Sequence, residues 1–241
     1  MIKKCITLGV IPARGGSKSI PYKNIVDFNG APLISYVIES AKRSKTIDKI
    51  ICSTDSERIA EIANKYGVEV AWRDASLSSD NSPVIDTLID IIKTRDEDID
   101  LIPLLQPTSP FILPEHIDLS VNEFLNNPDA DSVQTLSDIP HNFHAYNQRV
   151  HKDGMVKFRF SDERRECYNK QKKPHLKSFG NLVVTRKKTI INKNDIFGEY
   201  SIGIEIPESY SFDLDTMDDI DYGCYLMHTH KVNLPWVTNK K

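Results

Sequence analysis

Two groups of residues near opposite ends of the chain have the types and spacing to handle a phosphorylated ligand. The first is Pro12, Ala13, Arg14, Gly15, Gly16, Ser17 and Lys18, followed by Pro21 and the pair Lys23 and Asn24. Adjacent glycines let backbone amides approach an anion closely, and a loop leaving a strand can turn several such donors inward. Arg14 can hold phosphate oxygens as a planar fork and Lys18 as a mobile point charge, with Lys23 adding an ammonium from the far end of the loop. The glycine spacing is not that of a Walker loop, so an ATPase is not indicated. Gly15 and Gly16 could also simply make a turn, but three basic residues around that turn favour an anion site.

The second group is the run Phe212, Asp213, Leu214, Asp215, Thr216, Met217, Asp218, Asp219. If Ser211 to Asp215 is extended, Asp213 and Asp215 point to the same side and can share one hard cation. Mg²⁺ at that position would offset repulsion between a triphosphate and an incoming oxygen and polarise the phosphate under attack. Asp218 and Asp219 are read as opening the following helix or facing solvent. A capping or acidic-surface role for all four aspartates is the alternative when the segment is viewed by itself. Transfer at phosphorus is mainly a matter of positioning and charge stabilisation, with the acceptor supplying the nucleophile, so no serine or cysteine nucleophile is required.

The elements that must position these groups alternate in type. Cys5 to Ile11, Lys49 to Ser53, Val68 to Trp72 and the nearly continuous apolar run Ile99 to Leu105 read as strands. Helices are expected over Pro32 to Ser44, with Pro32 in the first turn, then Asp55 to Tyr66 stopped by Gly67, Pro83 to Thr94, and Pro114 to Leu125. Ser178 to Thr185 and Ile202 to Ile206 return to strand composition, and Asp215 to His228 closes the chain as a helix. Short buried strands alternating with amphipathic helices imply a layered α/β fold with a mainly parallel sheet, whose strand C-terminal edge is the expected ligand site. Regularity weakens between Ile139 and His175, where several histidines, the strand-like Met155 to Phe160 and the basic RRECYNKQKK stretch suggest a projecting lobe at 139–177 within one domain over 1–241.

Bulk properties narrow the class. The 241 residues suffice for one sizeable core, and 39% hydrophobic with 27% charged residues fits an ordinary globular protein. A net charge of -3 gives no global argument for nucleic-acid binding. Cys5, Cys52, Cys167 and Cys224 are widely separated and show no paired metal-ligand spacing; all but the polar-flanked Cys167 are expected in the core. No apolar stretch is long enough to cross a bilayer, and the opening MIKKCITLGVIPARGG lacks a small-residue cleavage site, so a cytoplasmic protein is expected.

Taken together, IPARGGSKSIPYKNI, NGAPLISYVIESA, ICSTDSERIAEIANKYGVEV, LLQPTSP and SFDLDTMDD resemble the acylneuraminate cytidylyltransferase family in order and spacing from Ile11 through Asp219. The resemblance implies a three-layer Rossmann-like nucleotidyltransferase with a small projecting dimerisation lobe. It implies transfer of CMP from CTP to the anomeric hydroxyl of a nonulosonic acid, with Mg²⁺ as cofactor and a homodimer as the assembly. Nucleotide contacts carry over to Arg14, Gly15, Gly16, Ser17, Lys18, Lys23 and Asn24, and on the cytidine side to Arg73 and Ser82. Acceptor contacts carry over to Gln106, Thr108 and Ser109, and the metal role to Asp213 and Asp215, with Lys18 and the two aspartates expected to carry catalysis. The bland alternatives are solvation for Arg73, helix capping for Ser82 and a structured turn for the Gln106 to Pro110 segment.

Two departures bear on the acceptor. Arg164 and Arg165 match paired arginines that many relatives place before a glutamine, but Glu166 follows them here. Arg165 is therefore assigned to either acceptor binding or a subunit interface. At Phe179, Gly180, Asn181 close relatives usually show Asn-Gly before a small residue, so Phe179 removes a polar contact that Asn181 can recover only from a shifted direction. Another 3-deoxy sugar acid as acceptor, or a nucleotide-binding protein without turnover, are the competing readings.

Overall fold

The computed structural model describes residues 5–79, 81–95 and 98–237. The chain runs through β1 (Leu8–Pro12), the short pair β2 (Asp27–Phe28) and β3 (Ala31–Pro32), α1 (Leu33–Arg43), β4 (Lys49–Thr54), α2 (Glu57–Lys65) and β5 (Glu69–Trp72). It continues through α3 (Val84–Thr94), β6 (Leu101–Leu105), α4 (Pro114–Asn126), β7 (Ser132–Asp138), the hairpin β8 (Arg149–Lys152) and β9 (Met155–Phe158), and α5 (Ser161–Glu166). It ends with β10 (Lys177–Arg186), α6 (Lys187–Lys193), β11 (Ser201–Glu205) and α7 (Met217–His228).

Seven strands form one sheet in the order β11-β7-β10-β6-β1-β4-β5. Only β10 runs antiparallel to its neighbours β6 and β7; the remaining pairs are parallel. Alternation along β1 explains the layers. Leu8 and Val10 pack with Ile51, Leu104 and the α3 residues Leu88, Ile91 and Ile92 on one face. Ile11 faces the other way, into Ile34, Val37 and Ile38 of α1 and Ile59 of α2. Strands covered on both sides read as continuous apolar runs, and each fully buried Leu, Ile or Val contributes roughly 1.5–3 kcal/mol. A third cluster joins Ile20, Phe28 and Phe111 to Phe212, Leu214 and the α7 residues Leu226 and Met227.

Several expectations need correction. Cys5 is exposed, because the first strand begins only at Leu8. Pro32 caps α1 from outside rather than occupying its first turn. The strand at Met155 stops at Phe158, and the last helix starts at Met217, where Thr216 and Asp219 form a capping box. Strand β7 and helix α6 were not anticipated. The sequence SVQTLSD of β7 buries Ser132, Thr135 and Ser137, and these hydroxyls are satisfied by Ser201 Oγ (2.7 Å), Leu182 O (3.3 Å) and Ser178 Oγ (2.9 Å). Burial of hydroxyls at this cost requires such partners.

The 139–177 segment leaves the sheet between β7 and β10 and folds on itself. Asn147 Oδ1 accepts from both Arg164 Nη1 (2.9 Å) and Lys173 Nζ (2.7 Å). Its surface exposes Phe143, Met155, Val156 and Tyr168. Among the described residues, no helix is long and apolar enough to cross a membrane.

At the start of α4, His116 Nδ1 accepts from the Leu113 amide (3.2 Å), and its ring stands edge-on to Tyr210 at 5.5 Å. Burial pulls this imidazole from 6.5 down to about 4. The unfolded chain therefore takes up a proton that the folded one refuses. Stability from this site is full above pH 6.5 and is lost as pH falls toward 4, by on the order of 3 kcal/mol in all. Urea midpoints should fall more between pH 7 and pH 5 in the wild type than in His116→Gln, and equal falls contradict the assignment.

Candidate active site

After β1 the chain moves outward to β4 and β5, then returns to lay β6 on the other side of β1. The reversal opens a crevice beyond the strand C-terminal ends. A cleft of about 550 Å³ lies there. The loop after β1 lines it with Arg14, Gly16, Ser17, Lys18, Lys23 and Asn24, and the exit of β6 lines it with Gln106 and Thr108. Arg73 and Ser82 line it from the β5 side.

The two glycines do different work. A Cβ on Gly15 would stand 2.9 Å from Ser56 Cβ, so glycine is what lets the loop lie against the start of α2. The Gly15 amide donates to Asp55 Oδ1 at 2.7 Å and is not offered to the cleft. The expected Gly15 contact with an anion is thus replaced by a fastening. Gly16, by contrast, has nothing within 4 Å of a built Cβ and borders the open space. Asn24 fastens the loop from its far end, donating Nδ2 to Arg14 O at 2.9 Å.

Arg73 is held as a fork, with Nε on Ser53 Oγ (3.2 Å) and Nη2 on Ser53 O (3.0 Å). Burial lowers its pKa, opposed by the nearby Asp55 carboxylate. Arg73 is thus half-buried and fixed, not simply solvated. Ser82 does not cap α3, whose cap is Pro83 without a side-chain bond; its hydroxyl donates to Ser76 O at 2.9 Å. Ser109 is 1% exposed and absent from the cleft wall, with no protein partner for its Oγ, so its expected acceptor contact has no surface to occur on.

The acidic segment is built by alternation. Phe212 and Leu214 are buried, while Asp213 and Asp215 keep exposed surface. The segment is irregular rather than a strand, yet the same-side placement holds because the apolar residues face the cluster around Phe111, 5.1 Å from Phe212 ring to ring. Four bonds fix its course. Asn181 Nδ2 donates to Ser211 O (2.7 Å), the Leu214 amide donates to Thr108 O (2.8 Å), and Asp219 Oδ2 accepts from the Asp215 and Thr216 amides (2.9 and 2.7 Å). Asn181 makes its bond from a left-handed conformation, φ 70°, within a bulge of β10, while Phe179 turns into the core edge-on to Phe197.

Both groups meet directly. Lys23 Nζ lies 2.8 Å from Asp215 Oδ1 and 3.2 Å from Leu214 O. Desolvation raises the pKa of Asp213, the hydroxyl of Thr108 opposing and the charge of Asp215 assisting. Two crowded carboxylates already drawing one ammonium suit a hard cation. Among the described residues no set of three or more acidic, histidine or cysteine side chains forms a metal cage. Mg²⁺ commonly needs only one or two carboxylates beside substrate phosphates, so the Asp213 and Asp215 pair fits it. Arg165 stands apart on α5, largely exposed and paired with Asp162 at 3.3 Å, outside the cleft of its own chain.

A family model described as Cytidylyltransferase matches residues 8–222. The chain belongs to the cytidylyltransferase family. The pseudaminic acid cytidylyltransferase of Campylobacter jejuni is 30% identical over 231 residues, covering 94% of this chain and 97% of that one. The CMP-N,N'-diacetyllegionaminic acid synthase of Legionella pneumophila is 35% identical over 218 residues, covering 88% and 92%. The solved structure of CMP:2-keto-3-deoxy-manno-octonic acid synthetase with CTP superposes with a TM-score of 0.73 over 93% of this chain and 99% of that one; at 16% identity this speaks to the fold alone.

In this cytidylyltransferase the residue that sequence reasoning passed over is Asp55. An acidic residue between a strand end and a helix reads as a helix opener, but the cap of α2 is Ser56, and Asp55 reaches the Gly15 amide instead. Thr87 of α3 also borders the cleft and was hidden by its place within an apolar helix face. Gly15→Ala should lower stability by roughly 1–3 kcal/mol through the clash with Ser56; an unchanged urea midpoint would show that the loop does not need this close approach.

Proposed function

We propose that this enzyme transfers CMP from CTP to the anomeric hydroxyl of a nonulosonic acid in a magnesium-dependent reaction. The observation that carries the reading is the joining of the basic loop to the acidic segment beside the cleft: Lys23 and Thr108 line the cleft and contact Asp215 and the Leu214 amide, neither Asp213 nor Asp215 lying on the cleft wall itself. Identities of 30–35% with enzymes named for pseudaminic and diacetyllegionaminic acids support the acceptor class.

Arg14 and Lys18 draw the β- and γ-phosphates away from the reacting α-phosphate, Arg by its fork and Lys as a point charge. Gly16 lets the loop backbone close on the phosphates without a side chain intervening, and Ser17 follows it along the cleft wall. Arg73 and Ser82 face the cytidine side. Gln106, which can both donate and accept, and Thr108 orient the acceptor. Asp213 and Asp215 would hold Mg²⁺, which when bound would supply charge neutralisation and polarise the phosphorus. Asp213 stands beside the Thr108 hydroxyl, where an acceptor hydroxyl can be oriented. Alignment of this kind lowers the barrier without a covalent intermediate. Burial pushes the Cys52 thiol up to about 12, which removes it as a nucleophile.

The assembly is a homodimer in this reading. Exposed Phe143, Met155, Val156 and Tyr168 on the 139–177 lobe give a second copy an apolar surface to cover. Arg165 lies on the same lobe and serves either that interface or the acceptor.

Incubation with Mg²⁺, CTP and a panel of nonulosonic and other 3-deoxy sugar acids, followed by mass spectrometry, should give a CMP conjugate of a nonulosonic acid. A conjugate formed only with another acid overturns the acceptor class. Asp215→Ala should cut turnover by about 100-fold or more with folding intact, by analogy with loss of one transition-state charge stabiliser. Lys18→Ala should reduce kcat/KM by roughly 10- to 100-fold through loss of a charged phosphate contact. Light scattering should report twice the monomer mass, and a monomer at assay concentration refutes the dimer.

A further inference from the structure

The position of Lys23 has a meaning beyond phosphate binding. Its ammonium sits among three oxygens of the acidic segment, Asp215 Oδ1 at 2.8 Å, Leu214 O at 3.2 Å and Asp215 O at 3.5 Å. The Lys23 side chain is 13% exposed whereas that of Asp215 is 73% exposed, so the pairing is made by the lysine folding inward and not by the aspartate reaching out. One carboxylate, two carbonyls and a cation among them is the arrangement a hard cation would also seek. We infer that Lys23 is a stand-in counter-ion: without nucleotide it occupies the oxygen cage of the acidic segment, and it must leave before Asp215 can ligate a divalent cation. The inference rests on the metal role proposed for Asp213 and Asp215.

Electrostatics gives the consequence. An ammonium and a divalent cation on one carboxylate repel each other, so the metal without nucleotide binds against the lysine. A triphosphate changes the balance, because Lys23 also borders the cleft and its four-carbon stem allows the ammonium to move from the carboxylate to a phosphate oxygen. Metal and triphosphate then favour one another's binding, each removing a cost the other meets. Such coupling is reciprocal by linkage. Asp215 is thereby kept paired until the ligand that needs it arrives, and the free enzyme is spared adventitious metal.

Mn²⁺ binding to nucleotide-free protein, read by electron paramagnetic resonance of the free ion, tests this without turnover. Lys23→Met and Lys23→Gln should each bind Mn²⁺ roughly two- to fivefold more tightly than the wild type, in keeping with loss of a partly exposed ion pair. Lys23→Arg, which keeps the charge, should remain near the wild type. The gain should vanish when Asp215→Asn is added. A misfolded variant would bind less, so damage cannot imitate the expected result. If Asp215→Asn weakens Mn²⁺ binding but neither neutral Lys23 variant strengthens it, the stand-in role is overturned and the metal site survives. If Asp213→Asn and Asp215→Asn both leave Mn²⁺ binding unchanged, the metal reading itself fails. Absence of Mn²⁺ binding in the wild type and in both neutral variants also overturns the stand-in role.

Discussion

The site depends on holding Asp213 and Asp215 on the exposed side of one segment against the repulsion of their charges. Like charges near contact oppose one another by roughly 1–4 kcal/mol between water-like and surface-like dielectrics. Against this stands the burial of Phe212 and Leu214, each contributing roughly 1.5–3 kcal/mol, together with the backbone bond from Leu214 to Thr108. The apolar residues win, and their spacing puts the acids where solvent and ligand can reach them. A chain segment with no regular secondary structure thus acquires strand-like alternation from the cluster beneath it.

Charge chemistry of this kind places its demands on position rather than on reactivity. The loop after β1 is fastened at both ends, by Asp55 on Gly15 and by Asn24 on Arg14, leaving the stretch between them to face the cleft. Arg73 is clamped onto the neighbouring strand end. The Asp55 and Arg73 tethers join separate strand ends that the sheet order brings together, whereas Asn24 closes the loop upon itself. Asp55 and Ser53, which are not on the cleft wall, accordingly support groups that are or that border it.

Much of this was legible in the residues because apolar runs and glycine turns report the central strands and the loop that lines the cleft directly. What escaped was written in polar residues. Strand β7 reads as a loop until its neighbours supply partners for Ser132, Thr135 and Ser137. Asp55 has the look of a helix opener, and Ser109 the look of a surface hydroxyl, because composition does not reveal which side of a turn is covered. The shifted Asn181 was visible as a departure, yet its bond to Ser211 depends on a left-handed backbone that no spacing announces. Long-range hydrogen bonding is the common element in these omissions.

The lobe enters from β7 and returns into β10, where Asp138 and Lys177 are paired neighbours across the sheet. Its two ends are therefore already closed by the scaffold, and doubling the length of such an excursion adds only about 0.6 kcal/mol of closure entropy. Lineages can enlarge, trim or rewrite this part of the molecule while the floor that handles the nucleotide stays unaltered. Change in the lobe is thereby uncoupled from the sheet that carries the cleft, a modularity that follows from two adjacent strand ends.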